Sequence, residues 1–597
     1  MRNFISSLLG SLAALVLFFG AGVVGCIVLL VIISSAGEKK VVLEEGSYLV
    51  LDLSTNITDA PPLIDLSALT GNHREVTQLR TLTKALRAAA RDDRIAGVVM
   101  VGSLQPAGLG SGPAALREIR QALLDFKSTG KPVKAYLTQA STSDYYVASV
   151  ADELSIDPFG AILMPGLVSE PLFIAGALKK YGIGVQVARA GNYKAAVEPF
   201  VREDLSPENR EQLQALLDDI WAGLLTDIGA ARGLGVEQIQ AVVDSEGMIK
   251  PTVAAQARLV DRVIYRDVFL DELKELTGRK GGSEPFKQVA LASYANLVPM
   301  NREGGRPEKP GRVAVVYAEG DIVDGEGETG QVGGSRFARE LRQLRQDDAV
   351  KAVVLRVNSP GGSATASEEI QREMRLLQAV KPVVVSMGSY AASGGYWIST
   401  YSDRIFAEPT TITGSIGVFG LLFDVKTLAN EHGVTFDSVK TGRFADALSI
   451  SRPKTEPELA VIQGVVDWIY DEFLGKVAES RKLERSFVEE IARGRVWSGQ
   501  AAKELGLVDE MGSLTDALRH AAELAELGSN FRVSEFPRKK ELAEAIVEMV
   551  ERVKPAGAGV GLFAKTVRRW EHEAGVLRSL NDPRGLYARL PLGFDLN

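Results

Sequence analysis

Cysteine is all but missing from this 597-residue chain: Cys26 is the only one. That excludes an internal disulfide and a cysteine-ligated metal, and leaves the redox compartment unread. Histidine is nearly as scarce. His73, His432, His520 and His572 stand apart with no H-x-x-x-H spacing, so neither a zinc site nor any other cofactor is expected. No GxSxG is present, which weakens a Ser-His-Asp hydrolase. Positive charge is not in excess either. The net charge is −8 and no long basic run carries interleaved aromatics, so nucleic acid is disfavoured as a partner.

Apolar residues and glycine are plentiful: 46% hydrophobic and 59 glycines fit globular α/β material in two or three domains. From Leu8 to Ile33 there is no charged residue. At 1.5 Å per residue such a segment crosses a hydrocarbon core of about 30 Å, and residues 1–40 are expected to be a membrane anchor. Two alternatives stay open, a cleaved signal peptide ending near Ser34-Ser35-Ala36 and a lipoprotein-type box at Val23 to Cys26. With Arg2 before the span and Lys39 and Lys40 after it, charge alone leaves the orientation open.

Beyond the anchor, short apolar runs alternate with amphipathic ones. Helix is predicted over Leu79 to Arg91 and Ala114 to Lys127, and strand over Ile95 to Val101 and Val133 to Leu137, which is βαβ grammar. A turn-rich stretch over 277–311 separates this half (41–276) from a second (312–536) with the same grammar. In the second half, strands are predicted over Val313 to Val316, Ala352 to Val357 and Val383 to Met387, with helices over Ala338 to Gln346 and Glu368 to Leu377. The halves align at a shift of 251 residues. Asp144 to Asp152 falls on Gly395 to Asp403, sharing an aromatic and the final aspartate, and Arg189 to Lys194 falls on Lys440 to Ala445. The tail, 537–597, has no reading of its own.

The second half holds the stretch Gly388 to Ser399, GSYAASGGYWIS, at the end of an apolar strand. Ser393 there is the candidate nucleophile, set among small residues where a helix N-terminus favours developing negative charge; the alternative is a small-residue turn that only packs a helix onto a sheet. The shift of 251 puts Thr142 opposite Ser393, and Ala445 opposite Lys194. Each half thus carries what the other lacks. Without a placed histidine, serine needs another base, and a lysine serves if desolvation lowers its pKa from about 10.4 to roughly 7–8. Lys194 in GNYKAA is the candidate, against the alternative of a loop lysine snorkelling past Tyr193. Asn358 to Ser363, NSPGGS, follows a strand and offers the N–H of Gly362, which with that of Gly394 could form an oxyanion hole; the alternative is a Pro-Gly turn. Ser415, in TGSIG, supplies a hydroxyl that could hold the amine.

In combination, GNYKAAVEPF (191–200), NSPGGS (358–363), AASGGYWIS (391–399) and TGSIG (413–417) make the chain resemble peptidase family S49 over nearly its whole length. The resemblance implies two tandem ClpP/crotonase-like domains, with Ser393 as nucleophile, Lys194 as general base, Ser415 as its partner and Gly362 and Gly394 as oxyanion donors. It also implies a homotetrameric bowl on the outer face of the bacterial inner membrane, anchored by residues 8–33, that degrades released signal peptides and other unfolded apolar peptides. Two further readings are an inert membrane-anchored scaffold and an acyl-CoA enzyme of the crotonase class. The latter usually needs an acid/base group near the hole, and none lies between Gly361 and Ser367.

Overall fold

The computed structural model describes residues 43–62, 75–279, 283–537, 580–582 and 584–590. The expected anchor over 8–33, Cys26 and most of the tail lie outside these residues, and among the described ones no helix is long and apolar enough to cross a membrane. From Gly46 onward the described residues belong to one compact unit.

The first half is built on a six-stranded parallel sheet in the order Arg262–Val263, Glu153–Ile156, Val133–Leu137, Ile95–Val101, Ser47–Asp52, Gln288–Ala290, the last of these a strand contributed by the stretch 277–311 expected only to separate the halves. Its central runs are apolar because helices cover a parallel sheet on both faces. Leu79–Ala90 buries Leu79, Leu82, Leu86 and Ala89, an i, i+3, i+4 stripe turned to the core. In the second half Phe531–Phe536, Arg312–Glu319, Val350–Ser359, Val383–Ala392, Arg404–Ala407 and Glu510–Met511 form the parallel core of a larger sheet.

The internal repeat is visible in bonds as well as in element order. Pro113–Lys127 and Ala364–Gln378 are both 15-residue helices, their starts 251 apart. Tyr145 Oη donates to Leu259 O at 2.8 Å, and Tyr396 Oη donates to Leu507 O at the same distance. One predicted correspondence is not repeated as structure. Gly184–Ala190 is a strand, whereas the segment aligned with it, 435–441, is irregular and exposed. Likewise Val418–Asp424 is a strand and its counterpart, 167–173, is not. The two strands that do form pair with each other, antiparallel, from Val418 opposite Ala190 to Asp424 opposite Gly184. This ladder brings the residues just after Ala190 to the second half.

A buried ion cluster also joins the halves. Arg356, with a fully buried side chain, places Nε 2.6 Å from Asp59 Oδ1 and Nη2 2.7 Å from Glu118 Oε1, and Nη1 donates to Ser386 Oγ at 2.8 Å. Removing one partner of such a set strands the others in low dielectric. Arg356→Met is therefore expected to destabilise the chain by about 3–5 kcal/mol. The loss, read from the shift of the denaturant midpoint, should shrink at acid pH, because burial raises the Glu118 carboxyl and favours its protonated form in the fold; an unchanged midpoint would contradict this reading.

Candidate functional site

Val383–Ala392 is a ten-residue strand buried throughout, as an apolar run in the middle of a covered sheet must be. Its end turns sharply at Ser393, whose φ of 56° and ψ of −112° fall outside the regions open to ordinary L-residues. Such strain persists only where surroundings fix it. Here Ser393 N–H donates to Gly414 O at 2.8 Å, and Ser393 O accepts from Trp397 N at 2.8 Å as the helix Gly394–Ser399 begins.

Lys194 reaches that hydroxyl from the other half. Tyr193 N–H donates to Arg493 O, Gly494 N–H to Ile416 O and Ser415 N–H to Arg495 O, which stitches residues 193, 415–416 and 493–495 together. The packing leaves no room at Gly494. With φ at +81°, a Cβ there would stand 2.6 Å from Lys194 N and Cβ. Lys194 Nζ lies 2.6 Å from Ser393 Oγ, 2.9 Å from Ser415 O and 3.0 Å from Ser415 Oγ. Its side chain is completely buried, and that desolvation pushes the amine well below the usual lysine range. A neutral amine has two N–H donors and one lone pair. With the amine neutral, the carbonyl and hydroxyl of Ser415 would take the two donors and leave the lone pair to the Ser393 hydroxyl.

The glycine corner completes the site. Gly361–Ser363 is a short strand in the order Gln331–Gly333, Asp321–Val323, Gly361–Ser363, Leu586–Arg589, Val418–Asp424, Gly184–Ala190. Gly362 stands opposite Ile322 on one side and Ala588 on the other. A Cβ on Gly361, where φ is +93°, would fall 2.2 Å from Ala588 O and 2.6 Å from Gly394 N, so a backbone carbonyl already lies against this corner. Sequence reasoning missed the segment that supplies it. The turn-forming run Asp582-Pro583-Arg584-Gly585 before Leu586 was the available signal.

At the equivalent place in the first half, Thr142 is buried, and Asp144, aligned with Gly395, forms a capping box with Ser141 at the start of the helix Thr142–Ala148. Its carboxylate accepts from Leu104 N–H at 2.7 Å, Ser103 Oγ at 2.8 Å and Ser141 N–H at 2.9 Å. Ala445, aligned with Lys194, lies in an exposed loop.

The model of "Peptidase family S49" matches residues 125–280 and 375–528, more than half of the chain and in two regions that follow the repeat. Among curated proteins the chain is similar to "Protease 4" of Salmonella typhi, 34% identical over 90% of this chain and 89% of that one. "Protease 4" of Haemophilus influenzae is also 34% identical, over 95% and 94% respectively. "Serine protease SPPA, chloroplastic" of Arabidopsis thaliana is 30% identical over 92% of this chain and 78% of its own.

Proposed function

The chain belongs to peptidase family S49, and on that footing we propose that it is a serine endopeptidase in which Lys194 is the general base for Ser393. The observation that carries this reading is the 2.6 Å approach of a completely buried amine to a hydroxyl on a strained turn. In the proposed reaction the neutral amine takes the proton of Ser393 as Oγ attacks the peptide carbonyl, and the resulting ammonium protonates the departing amine. Water, activated by the same amine, then splits the ester. N–H groups of Gly362 and Gly394 receive the charge that develops on the carbonyl oxygen. Ser415 anchors the amine through its carbonyl and hydroxyl.

The proposed substrates are signal peptides and other unfolded apolar peptides, added as a strand between Gly361–Ser363 and Val418–Asp424 with alternate side chains read by pockets. Glycine and alanine dominate the corner: Gly361, Gly394, Ala391 and Ala392 leave space for small or aliphatic groups and offer no carboxylate to a basic one. The reading includes two ClpP/crotonase-like domains, an anchor over 8–33, and a body on the outer face of the inner membrane. A homotetramer is part of it. In support, the segments that lack strand structure, 167–173 and 435–441, are the repeat-equivalents of the pairing between Val418–Asp424 and Gly184–Ala190. They expose Val168 on one side and Phe436 and Val439 on the other, so a second copy could close the same pairing head to tail.

Unfolded peptides with Leu or Ala before the cut are expected to be hydrolysed at least about 10-fold faster than those with Lys or Arg, since one mismatched group in an apolar pocket is worth about 1–3 kcal/mol. Folded proteins should survive. A peptide library in which basic residues win, or rapid digestion of a folded protein, would overturn the specificity, and no hydrolysis of any peptide would overturn the assignment.

A further inference from the structure

Lys194 is held at both ends by one residue of the other half. At its tip, the amine meets the carbonyl and hydroxyl of Ser415, and Ser415 N–H donates in turn to Arg495 O at 2.7 Å. At its main chain, Gly494 packs against Lys194, and the next residue, Arg495, lays its guanidinium 5.0 Å from the centre of the Tyr193 ring and 4.5 Å from that of Trp497. Tyr193 directly precedes the base. A cation between two aromatic rings is attracted to both, and a planar guanidinium stacks where a compact ammonium does not.

The helix Pro207–Arg232 closes this clamp. Glu211 accepts from Arg495 Nη1 on Oε1 at 2.9 Å and from the Tyr193 hydroxyl on Oε2 at 3.1 Å, so one carboxylate joins the residue before the base to the residue behind Ser415. Gln212, which is buried, repeats the link on the main chain. Its Nε2 donates to Tyr193 O at 3.0 Å, and its Oε1 accepts from Val496 N–H at 3.1 Å. The clamp is not a legacy of the repeat. Leu259 and Leu507, which accept from equivalent tyrosines, are 248 apart, and at that spacing Gly247 stands where Arg495 does and Ile249 where Trp497 does. Only the half that holds the nucleophile carries the cation and the ring.

We propose that Arg495 is a positioning residue for the base: clasped by Tyr193, Trp497 and Glu211, it fixes the main chain of Lys194 and, through Ser415, the amine, and keeps water from the pair. The inference rests on the Ser-Lys reading above. A clamp that only joined the halves could sit anywhere along the ladder between Gly184–Ala190 and Val418–Asp424, whereas the bonds from this one end on the reacting amine. Burial is what lowers that amine. A loosened clamp that admits water to Nζ therefore returns it toward the ordinary lysine range.

The test is kcat, KM and the pH dependence of kcat for a Leu-Ala peptide ester, measured on the full chain as wild type, Arg495→Lys, Glu211→Gln and Lys194→Arg. Arg495→Lys keeps the charge and loses the stack. Its kcat is expected to fall about 10–100-fold, the scale of a misplacement of about 1 Å, with KM unchanged and the pH midpoint of kcat moved upward. Glu211→Gln alters a side chain more than half exposed, so the fold survives it, and both quantities are expected to move the same way by less. Wild-type kcat in Arg495→Lys overturns the inference. So does a lower kcat with the pH midpoint unmoved, which marks a structural role; should Arg495→Lys not fold, an unmoved midpoint in Glu211→Gln overturns it instead. All these results leave the Ser-Lys reading standing, whereas wild-type activity in Lys194→Arg overturns that reading and this inference with it.

Discussion

Ser393→Ala is expected to lower kcat for an apolar peptide ester by about 10⁴–10⁶-fold, the scale seen when a nucleophile is removed from a unit that works as one. Thr142→Ala, its repeat-equivalent, should leave the rate unchanged. The contrast follows from surroundings. Ser393 Oγ faces a buried amine at 2.6 Å, whereas Thr142 Oγ1 donates to Leu163 O at 3.4 Å and the repeat-equivalent of Lys194 is Ala445. Fold is not the variable, since both positions lie on the same repeat. Equal losses in the two variants, measured under saturating ester, would refute the assignment.

Lys194→Arg comes second, with an expected loss of about 10²–10⁴-fold, the usual contribution of a general base. Arginine keeps the charge but cannot give up its proton, so a charge-only role would survive the change and a base role would not. Wild-type rate should rise with pH through the lowered lysine pKa and then level off. The same burial sets the sign of a stability effect. Because the folded amine has a depressed pKa, the unfolded chain binds more protons between that value and the ordinary lysine range, and wild-type stability rises with pH across this window. Lys194→Met is therefore expected to be more stable than wild type at neutral pH, with the gain fading as pH approaches about 10.4. A methionine variant that melts lower at neutral pH would show that the amine is not held against a desolvation cost.

Much of the scaffold was legible. Ile95–Val101 and Val133–Leu137 begin and end where apolar runs predict them, because a parallel strand covered on both faces needs an unbroken run and its limits show as the run stops. Predicted second-half elements are shorter than the real ones: Val383–Ala392 continues past Met387 through Gly388-Ser389-Tyr390, where small and polar residues hide a strand that tertiary pairing with Ile412–Gly414 sustains. That Lys194 and Ser393 lie together was readable from complementary loss across the repeat, a comparison internal to the chain. The backbone carbonyl of Ser415 as a second holder of the amine was not, since every residue carries a carbonyl and only the turn at φ 47° aims this one. Nor was Leu586–Arg589 legible as a strand. Four residues give no periodicity, and their partners lie more than 150 residues away in sequence. The Arg356 cluster was equally hidden, because a charged residue at an apolar strand position looks like an exception until its partners arrive from Asp59 and Glu118.

The ladder between Gly184–Ala190 and Val418–Asp424 has a consequence for synthesis. Lys194 and Ser393 are 199 residues apart in the chain. At ribosomal speeds of 5–20 residues per second, roughly 10–40 s separate the emergence of one from the other. Throughout that interval the part still emerging is an unfolded chain, the kind of material the finished site is proposed to cut, yet the polypeptide holds only half of the proposed chemistry. On the proposed reading, splitting base from nucleophile across the two repeats acts as a timer: hydrolytic competence waits until the second repeat has been made and has docked its strand on the first.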